Sequence, residues 1–241
     1  MKQIKLSVFF TLMLVSSQIF SQVVRGSGNV KTDVRELSGF TELIVQGSFD
    51  LIIQQGDQEG VRIETDDNLA ELFQTRMDGK KLFITMLADV RKSSAMNVYI
   101  SIKELNRIVL LNDIRLKSQN VIHFDELTIF SGGMSEIELE IYAAKLNVQL
   151  TDGTYAYFKG FSEILSAEIH DETEMNALEL ETNTTEVLSS GLTEVSVNSQ
   201  KELKLLVTGA SNVYYTGEPK ITERIFSSTG FIVKRKGANE Q

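Results

Sequence analysis

Apolar and polar residues alternate with a period of two along most of the chain after position 22, as around Leu51 and Ile53. This alternation is typical of β-strands with one buried face, because successive side chains of a strand point to opposite sides of the sheet. Helical periodicity is almost absent, and only residues 67–73 and 103–106 fit short helical turns. The pattern therefore predicts an all-β protein.

Three short segments rich in Gly, Ser or Asp interrupt the apolar runs between residues 39 and 104. They are Gly47-Ser48, residues 56–60 and residues 78–81. The last is the strongest hairpin signal, because Asp-Gly readily adopts the positive φ angles of a type I′ turn. These segments predict antiparallel strands over residues 39 to about 104.

The second half of the chain is repetitive. A short apolar strand is followed by a Gly, Ser, Thr or Asp turn, starting at Phe130, Leu150, Ile169, Leu188, Val207 and Phe226. The first two starting numbers differ by 20, and each later pair differs by 19. The strand entries repeat at a common phase at Leu127, Leu146, Leu165 and Leu203. Such a constant period indicates a repeat architecture.

A repeat of two short strands cannot bury its apolar face alone, so its copies must stack on one another. Stacked coils would place equivalent strands parallel and about 4.8 Å apart, with Leu, Ile and Val filling the interior. Gly133, Gly191 and Gly209 recur after the turns, where a coil corner needs backbone angles that glycine adopts without strain. The repeat predicts a parallel β-helix, with an antiparallel barrel or sandwich as the main alternative.

Residues 1–22 have the pattern of a secretory signal peptide. Two lysines precede an apolar run from Leu6 to Val15, and small polar residues follow it. The run holds about ten residues, whereas a membrane-spanning helix needs about 20. The sequence therefore predicts export to the periplasm, the outer cell surface or the medium, without stable membrane insertion.

The charge and the missing cysteines exclude several classes of function. The chain carries 33 acidic and 24 basic residues, a formal net charge of −9. Removal of Lys2 and Lys5 with the signal peptide would leave 33 acidic and 22 basic residues, or −11. This acidic excess argues against nucleic-acid binding. The absence of cysteine excludes disulfides, a thiolate zinc site and a catalytic thiol.

Two clusters invite a catalytic interpretation and have a simpler one. His170-Asp171-Glu172 falls at a repeat corner where other coils carry Ser, Thr, Gly and Asp, so a solvated turn explains it. Glu136, Glu138 and Glu140 would project from one face of a strand, and paired carboxylates can hydrolyse glycosides. The exposed side of a coil wall explains them better, and basic residues do not recur beside them in the sequence.

Metal ligands are also scarce. His123 and His170 are the only histidines, so a site of the usual two- or three-histidine kind has little to draw on. Asp66-Asp67-Asn68 could supply oxygen ligands to calcium, but an N-cap for the turn that follows explains these residues more simply. We predict no catalytic residue, no metal site and no cofactor.

Tyrosines provide the candidate ligand-binding residues. Tyr155 and Tyr157 lie in one repeat, and Tyr214 and Tyr215 lie in a later one. Alternate members must face outward if their neighbours fill the core. An exposed tyrosine combines apolar area with a hydroxyl, which suits sugar rings or a protein partner. The sequence predicts a ligand at these four tyrosines on the outer wall, rather than inside the coils.

Several segments resemble a family of Bacteroidetes envelope proteins, the putative auto-transporter adhesin head GIN domain. They are residues 26–30, residues 37–40 leading into 43–45, residues 61–69, residues 79–84 and the Gly-x-Ser/Thr-x-Val corners. The resemblance covers residues 26–235 and implies an exported protein with a right-handed β-helix capped by N-terminal strands. It supplies no catalytic residue. The chain departs from the pattern at Glu172, which replaces a corner glycine, and at Asn112, in a degenerate first coil.

The sequence thus predicts four segments. They are a signal peptide (1–22), an N-terminal strand region of antiparallel character (23–104), a parallel β-helix of about 19-residue coils (105–236) and a flexible tail (237–241). The predicted function is that of a noncatalytic, adhesin-like envelope protein that binds a glycan or a surface protein. The alternatives are a β-helical carbohydrate-active hydrolase or lyase and a structural protein that forms homo-oligomers.

Overall fold

The computed structural model describes residues 23–236, so the predicted signal peptide and the predicted tail lie outside the described residues. Within this range the chain forms 17 strands and one turn of 3₁₀ helix. The 3₁₀ turn covers Ala70–Leu72, within the predicted segment 67–73. Residues 103–106 form no helix, and no helix in the described range has the length and apolar character needed to cross a bilayer.

The strands are numbered in chain order, first through the N-terminal region. They are β1 (Val23–Arg25), β2 (Val30–Arg35), β3 (Glu42–Gln55), β4 (Gly60–Asp66), β5 (Phe73–Asp78), β6 (Lys81–Met86), β7 (Asp89–Lys92) and β8 (Met96–Ile102). The remaining strands are β9 (Arg107–Ser118), β10 (Ile122–Gly132), β11 (Glu136–Thr151), β12 (Tyr155–His170), β13 (Glu174–Ser190), β14 (Glu194–Gly209), β15 (Asn212–Thr216), β16 (Lys220–Ser228) and β17 (Ile232–Lys234).

Strands β9 to β17 pair in parallel, each with the equivalent strand of the next coil. A coil has two walls. The front wall contains residues 136–141 of β11 and their equivalents, and the back wall contains residues 145–150 and their equivalents. The coils form a β-solenoid of about six turns. The prediction of an all-β fold built from stacked parallel coils is confirmed.

The interior is filled by columns of residues from successive coils. Leu127 is in register with Leu146, and Leu146 with Leu165. The column continues through Thr185 to Leu203, and all five side chains are fully buried. The predicted stacking of the repeat leucines is therefore confirmed, with a threonine in place of leucine in one coil.

Two of the six apolar residues that start the predicted turns do not face the interior as the repeat pattern predicts. Phe130 is in register with Gln149, and Leu188 with Glu168, so both side chains lie on the outer face of the back wall. The inward positions are Ser131 and Ser189, which are buried. The error arose because the outer face also carries apolar residues at these two places, where the inward residue is a small serine.

A second interior column consists of hydroxyl side chains at the corner between the walls. Its members are Ser135, Thr154, Thr173, Thr193 and Ser211, and all are buried. Four of them, Ser135, Thr154, Thr173 and Ser211, donate to backbone carbonyls of the corners, whereas Thr193 bonds to the Ser189 hydroxyl. The Thr154 hydroxyl donates to the Gly133 carbonyl at 2.8 Å, and the Ser135 hydroxyl to the Asn112 carbonyl at 2.8 Å. Among the described residues, no buried side-chain nitrogen or oxygen lacks a partner. The corner hydroxyls thus satisfy carbonyls that the turns leave outside the sheet.

The N-terminal region joins the parallel stack earlier than predicted. β3 pairs in parallel with β9 from Glu42↔Arg107 to Ile53↔Ser118, and also with β6 and β8. Gly47-Ser48, predicted as a hairpin, is a corner inside β3, where Gly47 has a φ of 143°. The prediction of antiparallel strands over residues 39 to about 104 was wrong for β3, because its main partner is β9, which follows five intervening strands along the chain.

Antiparallel pairing in this region is confined to β2 with β4, β4 with β8, and β5 with β6. The Asp78–Lys81 hairpin is confirmed, since Asp78 and Lys81 form the last pair of β5 and β6. Residues 56–60 do not close a hairpin, because β8 lies between β3 and β4. β1 and β7 form a separate two-stranded parallel sheet.

Asp66, Asp67 and Asn68 hold the N-terminal segment rather than capping a helix. The 3₁₀ turn has no side-chain cap. Asp66, which is fully buried, accepts the Gly28 amide at 3.0 Å, and Asn68 accepts the Ser27 amide at 2.8 Å. The N-cap explanation was therefore wrong, and these side chains tie the start of the described chain to the sheet.

Candidate functional site

Tyr155 and Tyr157 lie side by side on the outer face of the front wall, in β12. Tyr155 is 40% exposed, and Tyr157 is partly exposed. Their neighbours Ala156 and Phe158 are fully buried. Both rings therefore face solvent because the alternate residues fill the core.

Tyr214 occupies the same outer column as Tyr157, on β15, which β13 and β14 separate from β12. Its ring is already covered within the chain. The Arg235 guanidinium lies 3.4 Å from the ring centroid, and Phe231 contacts the ring at 5.4 Å in an edge-on arrangement. The face of Tyr214 is therefore less open to a ligand than the faces of Tyr155 and Tyr157.

Tyr215 faces the interior, contrary to the expectation that all four tyrosines lie on the outer wall. It is in register with Val197, which is fully buried, and it packs against the core. Adjacent residues of a strand point to opposite sides, so Tyr214 and Tyr215 cannot share a face.

Basic residues do lie beside the acidic front wall, which corrects the sequence expectation. Lys117 pairs with Glu138 at 2.9 Å, and Lys159 with Glu140 at 3.0 Å. Each pair joins neighbouring coils. The hydrogen bond to Glu138 raises the pKa of Lys117, and the bond to Glu140 does the same for Lys159. The sequence did not show these pairs because the two partners lie a full coil apart along the chain.

The hydroxyl of Tyr157 stays protonated over a wide pH range. Burial, a hydrogen bond to Glu179 and the negative charge of that carboxylate raise the pKa of Tyr157 to about 12. The hydroxyl is thus a neutral donor near the Glu179 carboxylate, and the ring beside it supplies an apolar surface.

The clusters that invited a catalytic interpretation are arranged as follows. His170 Nδ1 lies 2.6 Å from the Ser190 hydroxyl on the next coil. Glu136 and Glu138 are exposed on the outer face, while Ile137 and Leu139 between them are buried. Within residues 23–236, no three His, Cys, Asp or Glu side chains are grouped so as to hold a metal ion.

A concave site lies at the corner where the front wall turns into the back wall, around residues 142–144, and sequence reasoning missed it. We call it the corner groove, and its volume is about 890 Å³. His123, Tyr142 and Phe161 line it as neighbours in register on three successive strands. The rings of His123 and Tyr142 are 5.5 Å apart and tilted by 36°, and Tyr142 is 47% exposed. The signal was present in the sequence, since the three positions follow one another at the spacing of the repeat.

The corner groove carries more negative than positive groups. Its lining includes the carboxylates of Glu104, Asp125, Glu126 and Glu163 and the ammonium group of Lys103. Glu126 accepts hydrogen bonds from Lys145 and Asn147, and Glu163 accepts one from Asn183. No contact within the described residues pairs Glu104 or Asp125 with a cationic side chain. These two carboxylates are exposed beside the aromatic column.

Comparison with known proteins gives a family and a shared fold. The profile of the family described as "putative auto-transporter adhesin, head GIN domain" matches residues 39–219. No curated protein matches the chain significantly.

Solved structures that share the fold include a putative adhesin from each of two organisms and a putative lipid binding protein. A putative adhesin from Bacteroides fragilis has a TM-score of 0.79 at 22% identity, covering 88% of this chain and 99% of that one. A putative lipid binding protein from Parabacteroides distasonis has a TM-score of 0.71 at 18% identity, covering 89% and 100%. A putative adhesin from Parabacteroides merdae has a TM-score of 0.69 at 16% identity, covering 88% and 99%.

Proposed function

The chain belongs to the putative auto-transporter adhesin, head GIN domain family, and on this basis we propose that it is an exported, noncatalytic adhesin-like protein that binds glycans. The observation that carries the proposal is the pair of outward tyrosines, Tyr155 and Tyr157, on an extended wall. The interior of the coils is filled by buried side chains, so the ligand lies on the outer surface. The apolar run within residues 1–22 supports export.

Part of the negative charge of the front wall is neutralised within the wall, which suits an uncharged, hydroxyl-rich ligand. Glu138 and Glu140 are paired with lysines of neighbouring coils, and Asp50 with Arg115. The ring faces of Tyr155 and Tyr157 can stack on the apolar faces of sugar rings, while neighbouring carboxylates accept hydrogen bonds from sugar hydroxyls. A flat wall of this kind binds weakly at each site and gains strength when several sites engage one surface.

Binding to an array of neutral oligosaccharides tests the proposal. The protein should bind at least one glycan, and the Tyr155→Ala/Tyr157→Ala double variant should lose about tenfold or more of its retention on that glycan. Its urea unfolding midpoint should change little, because both side chains are exposed or partly exposed. Gln149→Ala on the outer face of the back wall is the matched control and should bind normally.

Three results would count against the proposal. The first is an absence of glycan binding, and the second is equal retention of the wild type and the double variant. The third is release of new reducing ends from a bound glycan, which would favour the carbohydrate-active hydrolase or lyase.

A further inference from the structure

Arginine side chains cover aromatic rings at three places in the described chain. Arg62 lies 3.7 Å from the centroid of Tyr99, Arg76 lies 4.3 Å from Phe83, and Arg235 lies 3.4 Å from Tyr214. A guanidinium over a ring face is attracted by the negative charge of the π-system. Within residues 23–236, none of these contacts involves the corner groove.

At the Arg62 contact, a carboxylate accompanies the aromatic ring. Glu64 accepts a hydrogen bond from the Tyr99 hydroxyl at 3.2 Å and lies 4.0 Å from the Arg62 guanidinium. A ring face and a carboxylate thus engage one guanidinium together. The corner groove holds the same two components, an exposed aromatic column and the carboxylates of Glu104 and Asp125, without a guanidinium of its own.

We propose that the corner groove binds an arginine-bearing segment of a partner polypeptide. One guanidinium stacks on the column of His123, Tyr142 and Phe161 and pairs with Asp125 or Glu104. A volume of about 890 Å³ lies within the range of about 300–1,000 Å³ typical of ligand sites. This site is separate from the tyrosine pair of the front wall, so the inference does not depend on glycan binding there.

Charge complementarity favours an arginine over a neutral sugar in this groove. Four carboxylates line it against one lysine, and only Glu126 among them is paired with a cation, Lys145, within the described part of the chain. A neutral ligand would cover Glu104 and Asp125 without neutralising them, and loss of hydration without a compensating partner is costly. Guanidinium also forms two parallel hydrogen bonds to a carboxylate.

Two end-capped peptides test the inference with the full protein. One is Gly-Arg-Gly-Arg-Gly, and the other has citrulline in place of both arginines, which removes the charge and keeps nearly the same shape. Titration calorimetry should detect binding of the arginine peptide, and the citrulline peptide should bind at least about tenfold more weakly. Raising the ionic strength should weaken the binding of the arginine peptide and leave that of the citrulline peptide unchanged.

Variants locate the site. Tyr142→Ala should lower the affinity for the arginine peptide about five- to tenfold. The Glu104→Gln/Asp125→Asn variant should lower it by a similar factor. The Tyr155→Ala/Tyr157→Ala variant should bind the peptide normally, which separates this site from the glycan surface. Circular dichroism should show that the Tyr142→Ala protein is folded. The inference is overturned by no peptide binding, by equal binding of the two peptides, or by normal binding to folded Tyr142→Ala and Glu104→Gln/Asp125→Asn proteins.

Discussion

Glu172 stands in the left-handed backbone region that favours glycine. It has a φ of 52°, and Asp171 before it has a φ of 48°. Other coils place Gly153, Gly191 or Gly209 near this corner, with φ values of 81°, 87° and 75°. The positive φ at Glu172 therefore follows from the geometry of the coil corner, which other coils meet with glycine.

Replacing Glu172 by Gly should stabilise the protein. The left-handed conformation costs a non-glycine residue about 1–2 kcal/mol, whereas the extra freedom of glycine in the unfolded chain costs about 0.5–1 kcal/mol. We expect a gain of about 0.5–1 kcal/mol in the free energy of unfolding, measured by urea titration.

Gly209→Ala is the opposite control. A Cβ at position 209 would lie 2.6 Å from the Gly191 backbone nitrogen, and φ there is 75°. This change should cost about 1–3 kcal/mol. A loss of stability in Glu172→Gly would show that the corner does not impose strain.

At the scale of the strands, each coil contributes one residue to each interior column. The sequence reveals some of these columns and not others. The repeat period and the leucine column could be predicted, because Leu127, Leu146 and Leu165 are all large and apolar. The hydroxyl column could not, because Ser and Thr occur on both faces of strands. The predicted inward orientation was wrong at Phe130 and Leu188, where the apolar side chain lies on the outer face.

The hydroxyl column should contribute to stability through its hydrogen bonds. Thr154→Val keeps the side-chain shape but removes the donor to the Gly133 carbonyl, and it leaves Ser131, which bonds to Thr154 at 3.0 Å, with one partner fewer. Leaving a buried polar group unsatisfied costs about 1–3 kcal/mol, and we expect a loss of that size in urea unfolding. Thr128→Val, on the outer side of the back wall, should change stability by less than about 0.5 kcal/mol. Equal effects would contradict a structural role for the column.

At the scale of the whole molecule, the sites depend on neighbours that are distant in the sequence. The outward tyrosine pair could be predicted, because Tyr155 and Tyr157 alternate within one strand. The corner groove was missed although its three aromatic residues recur at the spacing of the repeat, because its carboxylates come from separate loops and strands that only the fold brings beside them. The ion pairs of the front wall were missed for the same reason.

The parallel pairing of β3 with β9 also determines which fragments of the chain we expect to fold on their own. β3 covers twelve consecutive positions of β9, and the inward residues Ile108, Leu110, Ile114 and Leu116 of β9 are fully buried. A fragment of residues 105–236 would remove β3 and expose the edge of β9 together with the end of the apolar interior. Exposed strand edges with apolar residues promote association between chains.

We therefore expect the 105–236 fragment to be aggregated or oligomeric in light scattering after size-exclusion chromatography. A fragment of residues 39–236 is the matched control, because it loses β1 and β2 but keeps β3 on β9. It should stay folded, since β2 contributes mainly exposed residues such as Val34, which is 67% exposed. If the 105–236 fragment were instead monomeric and unfolded cooperatively in urea, β3 would be a cap that the remaining coils do not require, and the stack would begin at β9.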